Sequence, residues 1–233
     1  MKQALVTGGA RGIGFGIAEA MLAGGYAVTV TGLTPEEAAA VPRRDHLTAA
    51  VLDVTSDTGV AACIAGLSRL DALVNCAGMV LRDGKEFTIE GFQKVIDVNL
   101  TGTMRMCVAA RPLLEKQGGA IVNIASVWSF FGGPLVPAYT ASKGGVAQLT
   151  KALAVAWAPA IRVNAIAPGW IETELTKAAQ EDPDRSGVIV GRTPFGRWGK
   201  PGDIGGAAVF LCSEAAGFIT GVILPVDGGY TAK

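Results

Sequence analysis

A chain of 233 residues, half of them hydrophobic, can bury a substantial core and fits one large α/β unit over residues 1–233 rather than two. Lys plus Arg equals Asp plus Glu at 20 each, which leaves no electrostatic footprint for nucleic acid or an anionic membrane surface. No apolar run approaches the roughly 18 residues of a membrane span. The single histidine, His46, and four scattered cysteines without a Cys-x-x-Cys pair exclude His-based triads and argue against a metal site, predicting reduced, buried thiols in a cytoplasmic protein.

In chain order, Met1-Lys2-Gln3 runs directly into a short apolar strand, Ala4 to Thr7, too brief for the apolar region of a signal peptide. Gly8-Gly9-Ala10-Arg11-Gly12-Ile13-Gly14 follows, then a helix to about Ala23 with Ile17, Ala18, Met21 and Leu22 at inward spacing. Strand, glycine loop and helix together describe a phosphate site. Gly8, Gly12 and Gly14 let the backbone turn and approach a pyrophosphate at the positive end of the helix. A tight βα turn would explain any one of these glycines, but it explains three in this frame less well. The loop lacks Gly-Lys-Ser/Thr, which argues against a P-loop nucleotidase.

Ala27 to Thr31 reads as the second strand and ends at Gly32-Leu33-Thr34. An acid at this place would bind the adenosine ribose hydroxyls and repel a 2′-phosphate. Gly32 removes that repulsion and Arg11 offers positive charge nearby, so the reading leans to NADP. Leu33 supplies no cation, and NAD stays open. Thr48 to Leu52 reads as the third strand, ending in Asp53-Val54, where the carboxylate is placed to accept from the adenine amine. A helix cap is its competing role, although Thr55 and Ser56 are better placed for capping. Ala72 to Val74 is the fourth strand, and the small residues of Asn75-Cys76-Ala77-Gly78 again permit close backbone approach to a cofactor.

Gly91 to Gln117 is helical for most of its length and contains Asp97-Val98-Asn99-Leu100. A buried Asn in a helix must use its amide, either to satisfy a neighbouring element or to hold a water that relays protons. Ala120 to Ala125 is an apolar strand that delivers Ser126 at its end. The connector Val127 to Ala138, with Trp128, Phe130, Phe131, Leu135 and Val136, is expected to supply both core and pocket wall.

Next comes Tyr139-Thr140-Ala141-Ser142-Lys143. On a helix the phenol and the ammonium project from one face. A free phenol has a pKa near ~10 and is a poor base at neutral pH. A fixed cation beside it is expected to favour the phenolate, and the Ser126 hydroxyl could bond the same substrate oxygen. A surface pair on a helix is the alternative for an isolated Tyr-x-x-x-Lys. Arg162 to Ala167 is the sixth strand, closed by Pro168-Gly169-Trp170-Ile171-Glu172-Thr173. Residues 176–197 are the least regular stretch, with Asp182-Pro183-Asp184 and Pro194 expected to interrupt any helix. A substrate lid is the preferred reading there, and a surface excursion the alternative. A helix from Pro201 to about Ser213 and a last strand, Val222 to Val226, complete the chain, which has no repeat or linker.

These segments, in this order, resemble the short-chain dehydrogenase/reductase family over essentially the whole chain. Thr7-Gly8-x-x-x-Gly12-x-Gly14 matches its cofactor loop and Asp53 its adenine-site acid. Asn75-Cys76-Ala77-Gly78 is similar to its Asn-Asn-Ala-Gly signature, with Cys76 in place of the second Asn. Asn99, Ser126, Tyr139 and Lys143 coincide with its catalytic tetrad, and Pro168-Gly169 with Ile171 and Thr173 resembles its nicotinamide segment.

The resemblance implies a Rossmann-type doubly wound sheet of seven parallel strands with helices on both faces, NAD(P) along its carboxyl edge, and a homotetramer. It places the cofactor against Gly8, Arg11, Gly12, Ile13, Gly14, Leu33, Asp53, Val54, Asn75, Ala77, Gly78, Tyr139, Lys143, Pro168, Gly169, Ile171 and Thr173. The implied reaction is hydride transfer between nicotinamide and a carbonyl or secondary alcohol. Tyr139 exchanges the proton, Lys143 holds the ribose, Ser126 polarises the carbonyl and Asn99 anchors a relay water.

Three rival readings are a non-catalytic dinucleotide sensor, a methyltransferase, and a 3-oxoacyl-[acyl-carrier-protein] reductase. The first two have no use for the Ser/Tyr/Lys set. The third calls for clustered cations at the pocket mouth, where only Arg162, Arg111 and Lys116 stand as candidates. A small neutral ketone, alcohol or polyol is therefore the favoured substrate.

Overall fold

The computed structural model describes every residue from Met1 to Lys233. Its seven strands are β1 (Lys2–Thr7), β2 (Tyr26–Gly32), β3 (Leu47–Val51), β4 (Ala72–Asn75), β5 (Ala120–Ile124), β6 (Arg162–Pro168) and β7 (Ile223–Val226). They form one sheet in the order β3-β2-β1-β4-β5-β6-β7, with every pairing parallel. Successive strand residues point to opposite faces, so the alternation within β1 divides the core. Ala4 and Val6 pack beneath α1 (Gly12–Ala23) and α9 (Pro201–Cys212), through Ile17, Met21, Ile204 and Leu211. Leu5 faces the other way, under α5 (Gly102–Glu115) and α6 (Pro137–Trp157), with Met106, Leu114, Leu153 and Trp157. Sheets covered on both faces read as nearly continuous apolar runs, as β4 and β5 do.

Three further helices lie before α5: α2 (Pro35–Ala39), α3 (Asp57–Ala65) and α4 (Ile89–Ile96). Ser56 caps α3 by accepting the Gly59 N–H at 3.1 Å, as its position beside Asp53 predicted. The strand order reverses between β1 and β4, and the connections to either side leave a crevice at the carboxyl ends of these strands.

The structure departs from expectation in two places. The long helix expected over 91–117 is divided by a π turn at Asp97–Thr101, between α4 and α5. Residues 176–197 are more regular than their prolines suggested, forming α7 (Lys177–Gln180) and α8 (Pro183–Arg192). Pro183 occupies the first turn of α8, where no N–H is needed, and Asp182 accepts the Asp184 and Arg185 N–H groups at 3.1 Å.

Candidate active site

The glycine loop between β1 and α1 is shaped by two left-handed residues, Gly8 (φ +61°) and Gly12 (φ +56°), a conformation that side chains rarely adopt. Two threonines tie it down. Thr31 Oγ1 accepts the Gly8 N–H at 3.3 Å, and Thr7 Oγ1 accepts the N–H groups of Cys76 and Ala77 at 3.1 and 3.2 Å. A Cβ on Gly8 would stand 2.8 Å from the Ala77 Cα, and one on Gly12 would stand 3.4 Å from Thr173 Cγ2. One on Gly78 would reach Asn99 Oδ1 at 3.4 Å and Lys143 Nζ at 3.6 Å. Loop, Ala77-Gly78, Thr173 and Lys143 thus enclose one continuous cradle with the N-terminus of α1 at its floor, and no side chain caps that helix. Free first-turn N–H groups and missing β-carbons are what a pyrophosphate-bridged dinucleotide requires, and the cradle fits it.

Beside the cradle, α6 carries Tyr139 and Lys143 on one face, with Lys143 Nζ 5.7 Å from the phenol ring centre. The ammonium donates to the Ile124 carbonyl at 2.6 Å. Ser126 follows the end of β5, and its Oγ accepts the Trp128 N–H at 3.2 Å. Ser129 Oγ links this turn to α6 by donating to the Lys143 carbonyl at 2.7 Å. Burial pushes the Tyr139 phenol up to about 12, against the opposing pull of a hydrogen bond from Ser126. Burial likewise brings the Lys143 ammonium down to about 8.

That outcome corrects the expectation of a phenol drawn toward neutrality by its lysine. The buried ammonium is directed at the Ile124 carbonyl rather than at the phenol, and desolvation is the largest influence on each group. At neutral pH the phenol stands as a proton donor.

Asn99 is fully buried inside the π turn. Its Oδ1 accepts the Met79 N–H at 2.8 Å, and its Nδ2 donates to the Met79 carbonyl at 2.9 Å and to Ser142 Oγ at 3.0 Å. The amide that the sequence reading offered to a relay water is engaged in bracing the segment after Gly78.

Other expected cofactor residues are placed unevenly. Ile13, Pro168, Gly169, Ile171 and Thr173 line the crevice together with Ser126 and Tyr139. Asp53 is exposed at the end of β3, with one oxygen accepting from the Thr55 N–H and hydroxyl at 2.9 and 2.8 Å. The Val54 side chain is buried in the core, so a Cβ on Gly102 would lie 2.7 Å from its Cγ2. Asn75 is turned the same way as Leu73, and its Nδ2 donates to Asn123 Oδ1 at 2.9 Å and to Cys107 Sγ at 3.2 Å. The Asn75 amide thus braces β4 against β5 and the Val54 side chain packs in the core, so any cofactor contact at these two positions would be made by backbone. Leu33 is exposed.

In front of Ser126 and Tyr139 opens a cavity of about 420 Å³. Trp128, Leu135 and Val136 of the aromatic connector form one wall, and Leu175, Val188 and Ile189 face them from the segment that includes α8. Phe130 is half exposed and Phe131 packs on Tyr230, outside that wall. The lining contains two charged residues, Arg82 and Arg185. Neither takes part in any ion pair of the chain. Arg82 donates to the Leu175 carbonyl at 2.8 Å, and Arg185 lies 5.9 Å over the Trp170 ring. Sequence reasoning missed both, since each comes from a segment with no motif of its own.

A doubly wound sheet with a dinucleotide cradle beside a Ser/Tyr/Lys set, its serine and lysine buried and its phenol lining the open cavity, defines an NAD(P)-dependent oxidoreductase acting on CH–OH groups. The chain belongs to the short-chain dehydrogenase/reductase family, and a family model described as enoyl-(acyl carrier protein) reductase matches residues 8–231. It is 43% identical over 242 residues to 2-dehydro-3-deoxy-D-gluconate 5-dehydrogenase of Bacillus subtilis (strain 168), across 100% of this chain and 95% of that protein. Galactitol 2-dehydrogenase (L-tagatose-forming) of Cereibacter sphaeroides is 39% identical over 246 residues, across 98% of this chain and 94% of its own length. Among solved structures, a gluconate 5-dehydrogenase from Burkholderia cenocepacia J2315 in complex with NADP and tartrate superposes with a TM-score of 0.94. The two are 37% identical over 100% of this chain and 96% of that one.

Proposed function

We propose that the chain interconverts a secondary alcohol and a ketone on a short sugar acid, whose carboxylate is held by Arg82 and Arg185. The observation that carries this reading is the pair of guanidinium groups without carboxylate partners in an otherwise uncharged pocket. Arginine suits planar carboxylates, and a partly desolvated pair discriminates well against neutral analogues. The gluconate-type relatives support it. A neutral polyol is the second reading, favoured by the galactitol relative and the apolar wall. Two of the three cations considered for an acyl-carrier dock are engaged elsewhere. Arg162 donates to the Leu211 and Ser213 carbonyls, and Arg111 pairs with Glu115.

When bound, NAD(P) supplies or accepts the hydride. Gly8, Gly12, Gly14, Ala77 and Gly78 would hold its diphosphate and ribose by backbone, with Lys143 at the nicotinamide end and Asp53 at the adenine end. In reduction Tyr139 gives its proton to the substrate oxygen while Ser126 donates a hydrogen bond to the same atom. Asn99 keeps Met79 and the neighbouring backbone in place. Residues 176–197 act as a lid whose α8 carries Arg185 over the substrate. Exposed Ile89, Met104 and Val108 on α4 and α5 support a homotetramer, and four unpaired cysteines support a cytoplasmic setting.

The test is an initial-rate comparison of gluconate-type sugar acids with galactitol-type polyols, each with NAD and NADP, for the wild type and Arg185→Met. The sugar-acid reading expects acids to turn over fastest and the variant to raise KM for acids at least ~10-fold while leaving polyols within about two-fold. Faster polyol turnover, with no selective effect of the variant, hands the assignment to the neutral polyol.

A further inference from the structure

Helix α6 begins without a cap of its own. Its N-cap is Val136, which has no side-chain acceptor, and Pro137 in the first turn has no N–H to satisfy. An acceptor arrives from a distant segment instead. Glu86, in a short 3₁₀ turn at Lys85–Phe87, receives the Tyr139 N–H on Oε2 at 2.9 Å. Its Oε1 receives the Leu81 N–H, also at 2.9 Å. The side chain is 1% exposed and joins no ion pair, so one oxygen serves each backbone group. A carboxylate at this place also meets the positive end of the helix, where it is favoured.

We propose that Glu86 is a positioning residue of the active site: by bridging Tyr139 to Leu81, it holds the proton-exchanging phenol and the neighbouring Arg82 at one fixed spacing. The proposal rests on the reading of Tyr139 as the group that exchanges the substrate proton. It joins two parts of the site that no single element carries. Tyr139 rides on α6, while Arg82 sits on the segment that Asn99 braces at Met79.

The bridge also has an electrostatic consequence. The charged and titratable groups around the phenol are Lys143, Cys76, Glu86 and Arg82, with the Ser126 hydroxyl beside it. Burial is the largest influence and raises the phenol, Ser126 and Arg82 work against it, and Cys76 and Glu86 add to it. Removing the Glu86 charge while keeping its shape makes the phenol easier to ionise. A neutral helix cap with only a structural role would leave that equilibrium where it was.

The experiment compares Glu86→Gln, Glu86→Asp and Tyr139→Phe with the wild type, on the best alcohol substrate. The readouts are kcat and KM against pH, thermal melting, and NADPH affinity by fluorescence titration. In Glu86→Gln the amide NH₂ faces one of the two N–H groups, so kcat falls about 10-fold at the wild-type optimum. The acidic limb of the oxidation profile moves to lower pH by at least about half a unit, and NADPH affinity stays within about two-fold. Glu86→Asp keeps the charge but is one methylene too short to span both groups, so kcat falls while the limb stays. A Glu86→Gln profile that superposes on the wild type, with only melting affected, overturns the proposal. So does a Glu86→Asp enzyme with wild-type kcat, which decides the matter even if the glutamine variant does not fold. Turnover by Tyr139→Phe would sink the proton-exchange reading itself; an inactive Tyr139→Phe beside an unmoved Glu86→Gln profile removes only the role of Glu86.

Discussion

The Glu37 carboxylate lies 3.2 Å from the Arg11 guanidinium and accepts the Leu33 N–H at 2.7 Å. An acid therefore stands beside the end of β2 after all, brought there from α2 rather than from the strand. It occupies the cation that the sequence reading reserved for a 2′-phosphate, so NADP must draw Arg11 away from Glu37, whereas NAD need not. Glu37→Gln is expected to tighten NADPH about 5-fold relative to NADH, the scale of a half-exposed ion pair. Dissociation constants for both reduced cofactors, from protein-fluorescence quenching, check this. An unchanged ratio removes Glu37 from cofactor choice.

That carboxylate shows where sequence reasoning stops. Thr34-Pro35-Glu36-Glu37 is a legible helix start, and Thr34 does accept the Glu37 N–H at 3.3 Å. Nothing local indicates that the side chain reaches back to Leu33 and across to Arg11. The strands were legible because a sheet covered on both faces needs continuous apolar runs, and Ser126, Tyr139 and Lys143 because their spacing is set within two adjoining elements. Arg82, Glu86 and Arg185 were hidden because their partners lie on other segments. The inward turn of the Asn75 amide was hidden for a related reason, since its partners Asn123 and Cys107 lie on β5 and α5.

The raised phenol of Tyr139 fixes the sign of the pH dependence. Reduction needs the protonated form, which prevails at every pH well below about 12. Oxidation needs the phenolate, whose fraction climbs with pH. Alcohol oxidation should therefore accelerate steadily from about pH 7 to 9, while ketone reduction gains nothing over the same interval. Parallel pH–rate profiles in the two directions would contradict this. Tyr139→Phe should lose roughly 10²–10⁴-fold in both.

Lys143 is held at a cost to the fold. Its ammonium is buried and titrates at about 8 instead of the usual 10.5. Between these values the unfolded chain keeps the proton and the folded chain does not. Stability therefore rises with pH from 8 to 10.5, and the full penalty applies below 8. Lys143→Met should raise stability at pH 7 by on the order of 1–2 kcal/mol, after allowing for the Ile124 carbonyl left without its donor, while activity is lost. The gain should shrink as pH approaches 10. Denaturant unfolding at the two pH values measures it, and a destabilised variant at pH 7 would refute it.

The π turn at Asp97–Thr101 places Asn99 where its amide can grip both polar groups of Met79, and Ser142 completes the brace by accepting from Asn99 and donating to the Tyr139 carbonyl at 2.7 Å. Asn99→Ala leaves the Met79 N–H and carbonyl without these partners in a part-buried site, an expected loss of about 2–4 kcal/mol. Ser142→Ala removes one acceptor and should cost about 1 kcal/mol. Because the two side chains share a bond, the double variant should be less destabilised than the sum of the single ones, by about 0.5–1 kcal/mol. Strict additivity in urea denaturation would mean that Asn99 and Ser142 act separately, and that the link from Met79 through Asn99 to the Tyr139 turn carries no energy.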